Sequence, residues 1–259
     1  MEARPPFDPS AIRAVAFDGF GTLFDFTMAH FRVEVSSLLL TQRIAVDHEA
    51  FFDTWTKAYA QADVWPREPA ETGHMLDRML AGPIPDWHSQ WEIWRRQFAA
   101  ALATHEVPGD AEAAADHFRA RLSESPPYAD ALETVEGLHA RGYALALLSN
   151  ADEDFLQRAL VRARLRFSVI QSSESLRAYK PHHAVFGALC GRLSLEPGEI
   201  LYVGDSPMAD VTGAHHAGLR TAWLRRTETP YPERAASPDL HLDALATLLE
   251  ALPPRRSGG

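Results

Sequence analysis

Short apolar runs that end in small or polar residues recur along the chain. Ala14-Val15-Ala16-Phe17 runs into Asp18. Tyr143-Ala144-Leu145-Ala146-Leu147-Leu148 runs into Ser149-Asn150, and Ile200-Leu201-Tyr202-Val203 into Gly204-Asp205. Unbroken apolarity over four to six residues is the mark of a strand buried on both faces, so these runs predict parallel β-strands. Thr221-Ala222-Trp223-Leu224 is a fourth candidate and Ser168-Val169-Ile170 a shorter fifth. Helix-like stretches over 129–140, 152–164, 181–193 and 208–217 alternate with them. Strand alternating with helix at this spacing predicts an α/β fold with a doubly wound parallel sheet.

Residues 27–126 break the alternation. They hold no convincing strand and five of the six tryptophans, Trp55, Trp65, Trp87, Trp91 and Trp94. The spacings Phe51-Phe52…Trp55…Tyr59 and Trp87…Trp91…Trp94…Phe98 are helical. The expectation is a helical domain over 27–126 inserted into a core made of 1–26 and 127–252, with Ser125-Pro126-Pro127-Tyr128 as the return linker. The tryptophans either pack between the inserted helices or line a pocket facing the sheet, and spacing alone does not separate the two. Residues 253–259 are expected to form a disordered tail.

Composition narrows the partners. The chain has 259 residues and a formal net charge of −10, against the basic footprint that nucleic-acid binding requires. A single cysteine, Cys190, excludes an intramolecular disulfide and fits a reducing compartment. Residues 1–10 carry no basic-then-apolar signal pattern, and no apolar run approaches the ~20 residues a bilayer needs. The expected setting is cytoplasmic, with a small anionic molecule as partner and neither nucleic acid nor membrane.

The strand ends carry the candidate chemistry. In an open parallel sheet ligands bind at the carboxyl ends of the strands, so Asp18, Ser149-Asn150 and Gly204-Asp205 converge on one crevice. A carboxylate there can attack an electrophile and form a covalent intermediate, which makes Asp18 the candidate nucleophile. Gly21 lets the backbone approach a bound group and offers its amide. Thr22 and Ser149 add hydroxyl donors and Lys180 a fixed positive charge, the donor set that stabilises developing negative charge. Asp205 close to Asp18 calls for a cation between them, and hard oxygen ligands suit Mg²⁺. Asp210, five residues on, is placed to hold a metal-bound water or to neutralise Lys180.

Taken together these segments resemble the haloacid dehalogenase superfamily, whose four motifs appear in order. Phe17-Asp18-Gly19-Phe20-Gly21-Thr22-Leu23 resembles the first, Leu148-Ser149-Asn150 the second and Tyr179-Lys180-Pro181 the third. Val203-Gly204-Asp205-Ser206-Pro207-Met208-Ala209-Asp210, continuing to Gly218, resembles the fourth. The resemblance implies a Rossmann-like core with a helical cap between motifs one and two. It also implies a hydrolase with Asp18 as nucleophile, and Mg²⁺ held by Asp18, the Phe20 carbonyl, Asp205 and Asp210. Asn150 and Phe20 would border the substrate. Some relatives form homodimers through an aromatic cap, so a homodimer is a further expectation.

Two departures divide the branches of that family. Phosphatases carry a second aspartate two residues after the nucleophile, as general acid and base; here that position is Phe20. General acid–base help is typically worth ~10²–10⁴-fold. Haloacid dehalogenases also lack that aspartate, since a halide leaves unprotonated. Dehalogenases, however, work without metal, replace the motif-four acid, carry a halide-binding arginine on an early cap helix, and have a tyrosine where this chain has Phe186. Here Asp205 and Asp210 are present and the corresponding cap segment reads Trp55-Thr56-Lys57. A Mg²⁺-dependent phosphatase acting on a small phosphate ester is therefore favoured, with His74, His88 or Asp86 as candidate acids. The alternatives are a metal-independent 2-haloacid dehalogenase, a carbon–phosphorus hydrolase using Lys57 as a Schiff base, and a binding or regulatory protein that has lost turnover. The adjacent pairs His182-His183 and His215-His216 are read as helix residues, and Arg225-Arg226 as a solvated loop.

Overall fold

The computed structural model describes residues 5–59, 72–228 and 230–255, with side chains from residue 76 in the second stretch. Trp65 and the His74 side chain lie outside the described residues.

Six parallel strands form one sheet in the order β3-β2-β1-β4-β5-β6. They are β1 Ala14–Phe17, β2 Ala144–Ser149, β3 Val169–Ser172, β4 Ile200–Gly204, β5 Arg220–Leu224 and β6 Leu240–Leu242. β1 is central, paired with β2 through Phe17↔Leu147 and with β4 through Phe17↔Val203. The chain winds outward from β1 to β3 and then returns to the other side at β4, so the topological switch lies between β1 and β4. That is where a doubly wound sheet opens its ligand crevice.

Period-two burial on both faces explains the continuous apolar runs. Val15, Phe17, Leu145, Leu147, Leu201 and Val203 join one core, while Ala14, Ala16, Ala146, Leu148, Ile200 and Tyr202 join the other. The first core is covered by α6 Ala131–Ala140, α7 Glu153–Ala163 and α11 Thr247–Ala251, the second by α9 His183–Leu193 and α10 Gly213–His216. A one-turn helix, α8 Ser173–Leu176, follows β3.

Between β1 and α6 the described residues form five further helices: α1 Met28–Thr41, α2 His48–Ala58, α3 Thr72–Ala81, α4 Gln90–Thr104 and α5 Ala111–Ser123. Side-chain caps start three of them, with Asp47, Ser89 and Asp110 accepting from the amides of Ala50, Glu92 and Ala113. The insertion shares the first core with the sheet through Trp94, whose ring lies 5.6 Å from that of Phe155 on α7. Its two ends are hydrogen-bonded side by side. The Asp25 amide donates to the Pro126 carbonyl at 2.9 Å and the Tyr128 amide to the Leu23 carbonyl at 2.9 Å.

Three expectations change. The helix expected over 208–217 divides into a π-helical turn, Pro207–Thr212, and α10; the wider turn carries Asp210 inward. The expected disordered tail holds ordered residues. Tyr143 Oη donates to the Pro253 carbonyl at 2.7 Å, and Arg255 donates to the Ile12 carbonyl at 2.6 Å, anchoring the chain as far as Arg255. Arg226 is no solvated-loop residue. Its guanidinium grips Asp130 at 2.8 and 3.2 Å, donates to the Thr22 carbonyl at 3.1 Å, and lies 3.9 Å from the Tyr128 ring centroid. Arg225, by contrast, pairs with Asp243 at the surface. Among the described residues no helix is long and apolar enough to cross a membrane.

Candidate active site

Asp18, Ser149 and Asp205 follow or end β1, β2 and β4, and the sheet brings them together at one edge. Lys180, from the segment before α9, completes the group. Its ammonium donates to Asp18 Oδ1 at 2.5 Å, to Asp210 Oδ1 at 2.6 Å and to Tyr202 Oη at 3.0 Å. Tyr202 in turn donates to the Leu148 carbonyl at 2.8 Å, so a buried phenol fixes the lysine from below. Lys180 is 3 % exposed and Asp210 1 %. Burial alone would lower the lysine's pKa; the Asp18 and Asp210 carboxylates outweigh it and hold the ammonium well above its ordinary value.

Asp18, Asp205 and Asp210 place carboxylate oxygens within 4.8 Å of one another. With Lys180 as the one cation among them, the cluster carries a surplus of two negative charges when fully ionised. Burial, reinforced by the charges of Asp210 and Asp18, raises the Asp205 carboxyl. Burial also raises Asp210, where Lys180 opposes it and Asp18 adds to it. Carboxylate oxygens are the hard ligands a divalent cation such as Mg²⁺ takes, so the donor set fits one.

Two glycines make the cluster possible. Gly21 has φ +91°, and a Cβ there would lie 2.6 Å from Asp205 Oδ2; a Cβ at Gly204 would lie 2.3 Å from Asp210 Cγ. Side chains at either position would push the carboxylates apart.

The structure reassigns several expected donors. The Gly21 amide is committed to the Phe24 carbonyl at 2.8 Å, and the amides of Thr22, Leu23 and Phe24 all turn onto the Gly19 carbonyl. Gly21 therefore shapes the loop and does not supply its amide to a ligand. The Thr22 side chain is fully buried. It accepts from the Asp205 amide at 3.1 Å and donates to Asp205 Oδ1 at 3.4 Å, so it positions Asp205. Asn150 spends its amide on the Lys180 backbone, accepting at 2.8 Å and donating at 3.1 Å. Ser149, Asn150 and Phe20 do border the cavity described next. Phe20 packs against Phe24 and Phe155 with centroid distances of 5.3 and 5.6 Å.

A cavity of about 720 Å³ opens above this cluster. Asp18, Lys180, Asp205 and Asp210 form its floor, and Trp55 and Trp94 of the insertion face it from across. These two tryptophans thus pack in the core and line the cavity at once. Trp91 instead donates to Asp116 at 2.9 Å. Asp86, His88 and Lys57 are not among the described lining residues. His88 accepts from Tyr179 Oη through its carbonyl and Lys57 is exposed. His182 caps α9, its Nδ1 accepting from the Ala184 amide.

Three contributors escaped the sequence reading. Tyr202 reads as one more apolar residue of a strand. Trp223, which lines the cavity and donates to the Asp205 carbonyl at 2.9 Å, reads likewise. Asp152 stands at the N-cap position of α7, yet its carboxylate accepts from the amides of Gln90 and Trp91 at 2.8 and 3.0 Å. It thereby caps α4 across the boundary between sheet and insertion. Burial pushes its carboxyl up to about 6 against those two bonds, with Glu174 and Asp154 adding repulsion.

Comparison with known proteins bears on this arrangement. The haloacid dehalogenase-like hydrolase family matches residues 12–218. The chain is 27% identical over 233 residues to (S)-2-haloacid dehalogenase 4A of Burkholderia cepacia, covering 89% of this chain and 90% of that one. It is 37% identical over 217 residues to phosphoserine phosphatase of Thermus thermophilus, covering 80% and 82%. A crystal structure of a defluorinating L-2-haloacid dehalogenase superposes with a TM-score of 0.72 at 24% identity over 96% of this chain and 99% of that one.

Proposed function

The chain belongs to the haloacid dehalogenase-like hydrolase family, and within it we propose that it is a Mg²⁺-dependent phosphatase acting on a small phosphate ester. The observation that carries this reading is the cluster of three aspartates around a single lysine at the ends of β1 and β4. Mg²⁺, held by Asp18, the Phe20 carbonyl, Asp205 and Asp210, would neutralise the surplus charge and polarise the phosphoryl oxygens.

Asp18 attacks phosphorus in line, forming a P–O bond to its carboxylate while the ester oxygen departs with its electron pair. Ser149 donates to the transferring oxygens, while Lys180, its three N–H groups held by Asp18, Asp210 and Tyr202, fixes the attacking carboxylate. The Gly19 and Phe20 amides, which the turn does not use, are available to those oxygens as well. Water then attacks phosphorus, the P–O bond to Asp18 breaks, and inorganic phosphate leaves. Helices α1–α5 act as the cap, excluding bulk water and contacting the leaving group.

A metal-independent dehalogenase is the second reading, favoured by Phe20 and by the (S)-2-haloacid dehalogenase relative. Against it, the described lining residues include no arginine to hold a haloacid carboxylate. The two are separated by assaying phosphate release from simple esters with Mg²⁺ and halide release from a 2-haloacid with EDTA. Phosphate release that EDTA abolishes supports the phosphatase; halide release that survives EDTA overturns it. No turnover of either class, with wild type and Asp18→Asn indistinguishable, leaves a binding protein.

A further inference from the structure

Three features of the cavity bear on the group that leaves. First, at about 720 Å³ it has the size of a site for a drug-sized ligand, far beyond what a two- or three-carbon acid fills. Second, aromatic side chains supply much of the wall away from the floor, alongside Thr27, Thr56, Gln90 and Gln97. Phe26 beside the insertion, and Phe31, Trp55, Tyr59 and Trp94 within it, line the cavity together with Trp223 of the sheet. Phe31 is in ring contact with both tryptophans, its centroid 5.5 Å from that of Trp55 and 6.0 Å from that of Trp94. Such a preformed wall binds a flat apolar group without reordering its side chains. Third, Lys180 is the only cation among the described lining residues, and its ammonium is already shared by Asp18 and Asp210. A second anionic group on the substrate would enter a cavity whose charged floor is acidic, and would find no counter-charge.

The position of Phe20 adds a chemical constraint. An alkoxide must be protonated as it leaves, and no histidine or glutamate lines the cavity among the described residues. A phenol ionises near the value of tyrosine, about 10, so a phenolate departs with its electron pair far more readily than an alkoxide and needs no proton in the transition state.

Resting on the phosphatase reading, we propose that the substrate is an aryl phosphomonoester, its uncharged aromatic leaving group seated against the wall of Phe31, Trp55 and Trp94 and its phosphate on the Asp18 floor. The bond formed is Asp18 Oδ–P and the bond broken is P–O(aryl). The phenolate takes a proton from solvent after release, and water hydrolyses the aspartyl-phosphate.

The test is steady-state phosphate release in Mg²⁺ from five esters: 1-naphthyl phosphate, benzyl phosphate, propyl phosphate, 2-phosphoglycolate and L-phosphoserine. Benzyl and propyl phosphate share an alkoxide leaving group, so their difference reports the aromatic wall alone. The expected order has 1-naphthyl phosphate at least 100-fold above propyl phosphate in kcat/KM, and benzyl phosphate with a KM at least 10-fold below that of propyl phosphate. Trp55→Leu raises KM for naphthyl phosphate at least 10-fold, and at least 5-fold more than it raises KM for propyl phosphate. Should that variant not fold, Phe31→Leu makes the same comparison. Turnover of 2-phosphoglycolate or L-phosphoserine as fast as the naphthyl ester overturns the proposal while the phosphatase reading stands. Equal losses on both esters in the variant also overturn it. Failure of all five esters to exceed the Asp18→Asn background removes the phosphatase reading and the proposal with it.

Discussion

Asn150 and Lys180, thirty residues apart, exchange two hydrogen bonds. The Lys180 amide donates to Asn150 Oδ1 at 2.8 Å, and Asn150 Nδ2 donates to the Lys180 carbonyl at 3.1 Å. The end of β2 thereby sets the height of the ammonium that meets Asp18. Asn150→Ala removes both bonds and leaves the lysine side chain intact but misplaced. Misplacement on the order of 1 Å costs ~10²-fold in rate. The variant should lose 10- to 100-fold in kcat with KM within about 3-fold, measured with an aryl phosphate in Mg²⁺. A KM effect larger than the kcat effect would return Asn150 to direct substrate contact.

Lys180 is paired with two buried carboxylates, so its removal should cost stability as well as turnover. Breaking a buried ion pair from one side costs about 3–5 kcal/mol. Lys180→Met should lower the urea unfolding free energy by that order and abolish turnover. In an Asp210→Asn background, where one of the two carboxylates has gone, the same substitution should cost about half as much. Equal costs in the two backgrounds would mean that Asp210 and Lys180 do not act together.

Gly204→Ala tests the packing behind Asp210. The added methyl would lie 2.3 Å from Asp210 Cγ, too close for any flexible adjustment of so short a side chain. Overpacking of this kind costs about 1–3 kcal/mol, and Asp210 must leave Lys180 to relieve it. Thermal unfolding and activity should fall together. A variant with wild-type kcat would show that Asp210 is not needed where it stands.

Asp152 gives the fold a pH dependence of predictable sign. Burial raises its carboxyl to about 6 from an ordinary 3.8, so the folded chain binds this proton more tightly than the unfolded one. The contribution of this group to stability is complete below about pH 4 and is lost as pH rises through about 6. Urea unfolding of wild type and Asp152→Asn across pH 4–8 isolates the effect. The wild-type value minus the variant value should decline between pH 4 and 7 and then level off. A difference that rises over the same range would contradict the burial-dominated reading.

Arg226 ties the loop after Asp18 to the linker region through Thr22, Asp130 and Tyr128. Lysine keeps the charge but not the planar fork or the stacking. Arg226→Lys should cost about 1.5–3 kcal/mol, the range for hydrogen bonds to charged groups. Chemical denaturation would measure it, and a cost under about 0.5 kcal/mol would show the grip to be dispensable.

Much of the sheet was legible because a strand buried on both faces can only be apolar throughout. β6 was not. It has three residues, and His241 at its centre is exposed, so no run marks it. Asp18, Ser149 and Asp205 were legible because strand ends converge in a parallel sheet whatever the side chains between them. The uses of Gly21, Thr22 and Asn150 were not, since each depends on which neighbour takes a hydrogen bond first. Arg226 meets Asp130 from 96 residues away, and sequence proximity to Arg225 suggested only a charged loop. Spacing placed Trp55 and Trp94 on inward helix faces, but which element those faces meet is a tertiary fact.

The paired linkers at Leu23–Asp25 and Pro126–Tyr128 have a consequence for how such a protein changes over generations. Because the insertion enters and leaves at adjacent points held by two backbone bonds, its length and composition can vary without shifting the register of any strand. Recombination at this neck would exchange helices α1–α5 while leaving Asp18, Ser149, Lys180, Asp205 and Asp210 in place. The insertion and the strand-end cluster are therefore separable in sequence, and a new cavity lining can arise by grafting instead of by rebuilding the sheet.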